Sequence, residues 1–152
     1  MATLASLTAA ETADPEGDWI APGGDADDIE VRTVGFSDAY TDAQARRHRR
    51  LAQAYGGDVT AVPVALMRKA NLDCLLQHSV FGLRNLKGED GQDLPFEEVK
   101  RMVYEPRFRP LADAMFAAAR LATARRKADI EDAEGNSERL SGNTSNGAST
   151  PT

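Results

Sequence analysis

Three prolines and a glycine-bounded polar turn crowd into residues 82–115, GLRNLKGEDGQDLPFEEVKRMVYEPRFRPLADAM, and they constrain the fold more than any other feature of the chain. No helix can run through this stretch without interruption. Lys87-Gly88-Glu89-Asp90-Gly91 has the composition of a tight turn, because Gly tolerates positive φ and Asp bonds to nearby backbone amides; it reads as a reversal after a helix. Pro95 suits the first turn of a new helix, where its missing N–H would be unpaired anyway, and Phe96, Val99 and Val103 then recur at spacings of three and four. Tyr104-Glu105-Pro106 should end that short helix, since a proline ring disfavours the helical conformation of the residue before it. Pro110 restarts a helix with Leu111, Met115 and Ala118 on one face.

The remaining helices are weaker patterns. Ser37 or Asp38 can cap a helix running to about Tyr55, with Gly56-Gly57 as its stop. Residues 64–83 predict a second, central helix with Leu72, Leu75, Leu76, Ser79, Val80 and Leu83 as its buried stripe. The last helix, over 110–133, is alanine-rich and turns from apolar to charged after Ala124, so its final turns should leave the core before Gly135 ends it. Ahead of these lie Asp18-Trp19-Ile20 and the alternating run Ile29-Glu30-Val31-Arg32-Thr33-Val34, on either side of a Gly- and Asp-rich loop. They read as a β-hairpin with Ile29, Val31 and Thr33 on one face. The expectation is a mainly α domain of about four helices with a short N-terminal β-hairpin over 17–134. It is preceded by a flexible arm, 1–16, and followed by a disordered polar tail, 135–152, whose composition buries too little apolar surface to offset the entropy of ordering.

Composition narrows the function classes. A chain of 152 residues with net charge −6 lacks the basic footprint of a general nucleic-acid binder. Cys74 is the sole cysteine, so neither an internal disulfide nor a cysteine-based zinc site is available within one chain, and a reducing compartment fits. Residues 1–13 lack the basic and apolar regions of a secretory signal, and no run approaches the ~20 apolar residues of a membrane span. His48 and His78 have no paired ligands at metal-binding spacing. Asp25, Asp27, Asp28 and Glu30 lack the glycine and terminal glutamate of a calcium loop. Cys74, following Asp73 on an apolar helix, reads as a small buried hydrophobe, and no catalytic constellation is assembled. The reading is a binding protein rather than an enzyme, with no cofactor and no metal.

Two features are candidates for contact with a partner. Arg46-Arg47-His48-Arg49-Arg50 could touch phosphates if presented on one surface, but a helix spreads such a run around its circumference, and a solvated or partner-docking face fits the acidic whole better. Phe108 is held between Arg107 and Arg109 and between Pro106 and Pro110, so a rigid turn could present it outward; aromatic and arginine side chains are enriched at interface hot spots. The alternative for Phe108 is a buried staple seating the last helix.

In order and in residues, helix, polar turn, proline-started short helix, arginine-flanked phenylalanine and final helix, the segment resembles the tail assembly chaperones of long-tailed (siphovirus-like) bacteriophages and prophages. The likeness rests on Glu89-Asp90-Gly91-Gln92-Asp93-Leu94-Pro95-Phe96, close to the "DEDG-x-PLPF" turn and helix start common in that family, followed by Pro106-Arg107-Phe108-Arg109. In arrangement it extends over about 19–137; the N-terminal arm and the arginine cluster match no motif of the family. The resemblance implies a protein of the host bacterial cytoplasm that holds the tape measure protein soluble, helps recruit major tail tube subunits, is absent from the finished particle, and is commonly made in two lengths by frameshifting. On that basis Phe96, Val99, Val103, Phe108 and Met115, with Arg107 and Arg109, form the expected partner-binding set. A head-to-tail connector or tail completion protein would have similar size and helix content, and a nucleic-acid-binding regulator would use Arg46 to Arg50.

Overall fold

A computed structural model describes residues 16–26 and 28–146, and from 136 onward the backbone alone. The expected N-terminal arm, apart from Glu16, and the last six residues of the expected tail lie outside the described residues.

The chain begins with strands β1 (Asp18–Ile20) and β2 (Glu30–Thr33), joined by a loop carrying a 3-10 turn, Gly24–Ala26. They pair antiparallel with Ile20 opposite Val31. The alternation from Ile29 to Val34 is realised residue for residue: Ile29, Val31 and Thr33 are buried, and Glu30, Arg32 and Val34 are half-exposed. Helix α1 (Asp38–Gln53) starts at Ser37, whose hydroxyl accepts from the amide of Tyr40, and it stops where Gly56 and Gly57 take positive φ. A 3-10 turn, Val59–Ala61, leads into α2 (Val64–His78).

Here the sequence expectation is corrected. The stripe over 64–83 is two elements, α2 and then strand β3 (Val80–Arg84), which completes the sheet in the order β1-β2-β3. Val31 lies opposite Leu83, and Thr33 opposite Val80 across a bulge. A continuous apolar run does not distinguish a buried strand from a buried helix by period alone. Tertiary demand decides, because a two-stranded hairpin is marginal in water and β2 needs a second partner. Ser79, fully buried at the junction, makes the switch possible. Its hydroxyl donates to the Gly35 carbonyl at 2.8 Å, and the Gly35 amide donates to the Thr33 hydroxyl at 3.0 Å. Ser79 has then spent its proton, so the 3.1 Å contact between the two hydroxyls has Thr33 donating.

The polar turn consequently reverses a strand rather than a helix. Lys87 bridges to Asp93, and the amides of Gly88 and Leu94 donate to the carbonyls of Gln92 and Leu86, both at 2.8 Å. Helix α3 (Phe96–Met102) follows Pro95 as expected; a 3-10 turn, Pro106–Phe108, leads into α4 (Arg109–Asn146). Gly135 is not a stop: the backbone remains helical to Asn146, and Gly135 is not among the positive-φ glycines a C-cap would require. The backbone over 136–146, within the expected tail, is helical.

The core lies between the inner face of the sheet, α2, α3 and the first part of α4. Leu75, Met115, Val31, Val80 and Val99 are its largest fully buried side chains. Gly35 locks α4 to the sheet. At φ +78° it approaches α4 so closely that a Cβ would sit 2.6 Å from Thr123 Oγ1, and the next amide, Phe36, donates to that oxygen at 2.8 Å. Beyond this contact the helix leaves the core, and residues 124–134 are all exposed.

Candidate partner-binding surface

The fold divides the seven expected contact residues. Val99, Val103 and Met115 are core residues, 0%, 3% and 0% exposed. That is a correction: the stripe that the 3.6-residue period identifies on α3 faces this chain's own core, and presents nothing to a partner. Phe96 is half-buried against the same core, with the Lys100 ammonium 5.3 Å from its ring centre.

Phe108, Arg107 and Arg109 do reach the surface. Phe108 is half-buried in its 3-10 turn, neither fully outward nor a sealed staple. The Arg107 guanidinium stacks over its ring at 4.6 Å and also donates to Glu105 at 2.8 Å, so the ring is held in place from the solvent side. The turn forms a ridge between two clefts. On one side, about 920 Å³ is enclosed by the polar turn, α3 and the start of α4. Its apolar floor is Leu86, Leu94, Met102, Phe108 and Leu111, and its rim carries Lys87, Glu89, Asp90, Asp93, Glu98, Glu105 and Arg107. On the other side, about 510 Å³ lies between α2 and α4, with Leu66, Tyr104 and Phe116 inside and Arg68, Lys69 and Arg109 at its edge.

Tyr104 and Asp73 hold the ridge in position. The Tyr104 hydroxyl donates to Asp73, which also accepts from Arg47 at 3.0 Å and Lys69 at 3.2 Å. One carboxylate thus ties α1, α2 and the segment after α3 together. Burial and then the bond to Asp73 push the Tyr104 phenol upward, which keeps it a neutral donor. Cys74, beside Asp73, is fully buried, and burial pushes its thiol up as well, the environment of an inert packing residue.

The arginine run is split by the same packing. Arg47 turns inward to Asp73 and Gln77, and His48 Nε2 meets Asn71 Oδ1 at 2.7 Å. Arg46, Arg49 and Arg50 remain exposed, and the spacing of three and four puts them on one face of α1. Among the described residues no group of three or more His, Cys, Asp or Glu side chains is placed to hold a metal ion, and no helix is long and apolar enough to cross a membrane.

Sequence reasoning missed Glu89, Asp90 and Glu98 as rim residues because it took the polar turn only as a joint. The run of acids in 89–98 was the available signal. Compared with protein-family models, curated proteins and solved structures, the chain matches none.

Proposed function

We propose that the chain is a tail assembly chaperone of a long-tailed bacteriophage or prophage, acting in the host cytoplasm to hold the tape measure protein soluble and to help recruit tail tube subunits. One observation carries the reading. The two runs on which the resemblance rests, Glu89 to Phe96 and Pro106 to Arg109, are far apart along the chain for a turn motif, yet Glu89, Asp90, Leu94, Pro95, Arg107 and Phe108 all line the larger cleft. A groove with an apolar floor and polar rim is the form that takes an amphipathic helix, and a tape measure protein supplies long helices.

Co-expression tests it. A cognate tape measure protein should move to the soluble fraction when the two are made together, and Phe108→Ala should reduce that fraction several-fold. Equal insolubility with and without the chain overturns the reading. Stoichiometric recovery of the chain from purified particles would favour a connector or tail completion protein instead. A second reading draws on the exposed face of Arg46, Arg49 and Arg50: DNA binding that weakens steeply with salt and is lost when the three are replaced would make the chain a nucleic-acid-binding regulator.

A further inference from the structure

The larger cleft also specifies the charge of what fills it. Of its seven charged rim residues five are carboxylates, and its two cations are already engaged: Lys87 with Asp93 at 3.1 Å, and Arg107 with Glu105 at 2.8 Å. Glu89, Asp90 and Glu98 are left exposed with no cationic partner among the described residues; Asp90 accepts only the Gln92 amide, at 3.1 Å. Around an apolar floor, three unneutralised carboxylates attract a positively charged partner and repel an acidic one.

The backbone of the cleft wall limits the partner's shape. An added strand would need free N–H and C=O groups, but in this turn the Gly88 and Leu94 amides and the Gln92 and Leu86 carbonyls are bonded to each other. Recognition must therefore pass through side chains, apolar ones on the floor and charged ones on the rim. An amphipathic helix provides both at once, with apolar residues at i, i+3 or i+4 and i+7 and flanking positions free for Lys or Arg.

We infer that the cleft between the polar turn, α3 and the start of α4 binds an amphipathic helix with basic flanks, its apolar face seated on Leu94, Met102, Phe108 and Leu111 and its cations facing Glu89, Asp90 and Glu98. This deepens the chaperone reading, resting on its assignment of the cleft, and names the segment of the partner that the chaperone would hold: a basic-flanked helix rather than any exposed apolar helix. The arginine face of α1 plays no part in it.

Two labelled peptides of about five helical turns, identical in their Leu and Phe face and flanked by Lys in one and by Glu in the other, test the inference against the full chain by fluorescence anisotropy. The Lys-flanked peptide should bind about tenfold tighter or more, as expected for three solvent-screened rim charge pairs acting together, and the margin should shrink as salt is raised. The triple variant E89K/D90K/E98K changes exposed side chains and gives up one hydrogen bond, from the Gln92 amide to Asp90, so it should keep a cooperative melting transition while reversing the preference. Phe108→Ala should weaken both peptides alike. Equal binding of the two peptides, binding of neither, or an unchanged preference in the triple variant overturns the inference.

Co-expression separates it from the broader reading. If the parent and the triple variant solubilise the tape measure protein equally, the chaperone function stands and the basic-helix inference falls. If neither solubilises it while the peptide preference holds and reverses, the cleft chemistry stands and the chaperone function falls.

Discussion

A few side chains carry much of the specification of this fold, and the cluster around Gly35 carries most. Thr33 on β2, Ser79 at the α2–β3 junction and Thr123 on α4 each bring a hydroxyl to a polar group of the 33–36 segment; among the described residues no buried side-chain polar atom lacks a partner. Replacing Ser79 by Ala takes the partner from the Gly35 carbonyl and from the proton of the Thr33 hydroxyl, and should cost about 1–3 kcal/mol of unfolding free energy in urea titration. Thr123→Val should cost a similar amount through the Phe36 amide. Gly35→Ala should cost more than either, because the residue would need both positive φ and space already held by Thr123. If Ser79→Ala leaves stability unchanged, the network is not a determinant. Tyr40 supplies a pH signature. Its phenol, 5% exposed, is pushed up to about 12 by burial and then by Cys74, so above pH 10 the unfolded chain loses a proton that the folded chain keeps. Stability then falls as pH rises through the window from 10 to 12, by at most about 1.4 kcal/mol per unit from this group. Denaturant melts across that window should show a shallower decline for Tyr40→Phe; an unaltered slope would assign the loss elsewhere.

At the level of elements, some of the fold is legible in sequence and some is not. The β1–β2 pair, the Ser37 cap and the proline-started α3 follow from local rules: an alternation of period two, a side chain meeting an orphan amide, and a ring that fits only a first turn. β3 does not. Val80 and Leu83 extend the apolar stripe of α2 in helical register, and they form a strand because β2 offers ladder bonds that solvent cannot match. Trp19, stacked at 4.1 Å beneath Arg84 and lying across Gly82, closes the outer face, where a Cβ on Gly82 would come 3.2 Å from the indole. The length of α4 was also hidden. Its 38 residues span about 57 Å, but among the described side chains its buried contacts end near Thr123. Ending the chain after Gly135 should therefore leave the denaturation midpoint unchanged, with a shift below about 0.5 kcal/mol. A larger loss would mean that the outer half of α4 packs on the domain.

For the molecule as a whole, the single cysteine reports on cooperativity. Cys74 is fully buried at the meeting of α1, α2 and the core, so a thiol reagent should modify it only when the domain opens, and the labelling rate should rise in step with unfolding in mild denaturant. Rapid labelling in native buffer would show a local opening of α2 instead. The candidate site shows the same division at this scale. An apolar stripe of helical period says that a face is hidden from water, not whether the chain itself or a second protein hides it; Val99, Val103 and Met115 are hidden by the chain, leaving Phe108 with a ring of acids that are distant from it in sequence. By itself, the sequence determined where elements begin and turn, the mainly α class, and the alternation of the hairpin, because these depend on φ, on orphan backbone groups and on side-chain period, all local quantities. Only the tertiary structure decided that β3 is a strand, which stripes are core, and that two distant runs share one cleft. Those outcomes depend on which surfaces compete for burial, and that competition is settled among residues far apart along the chain.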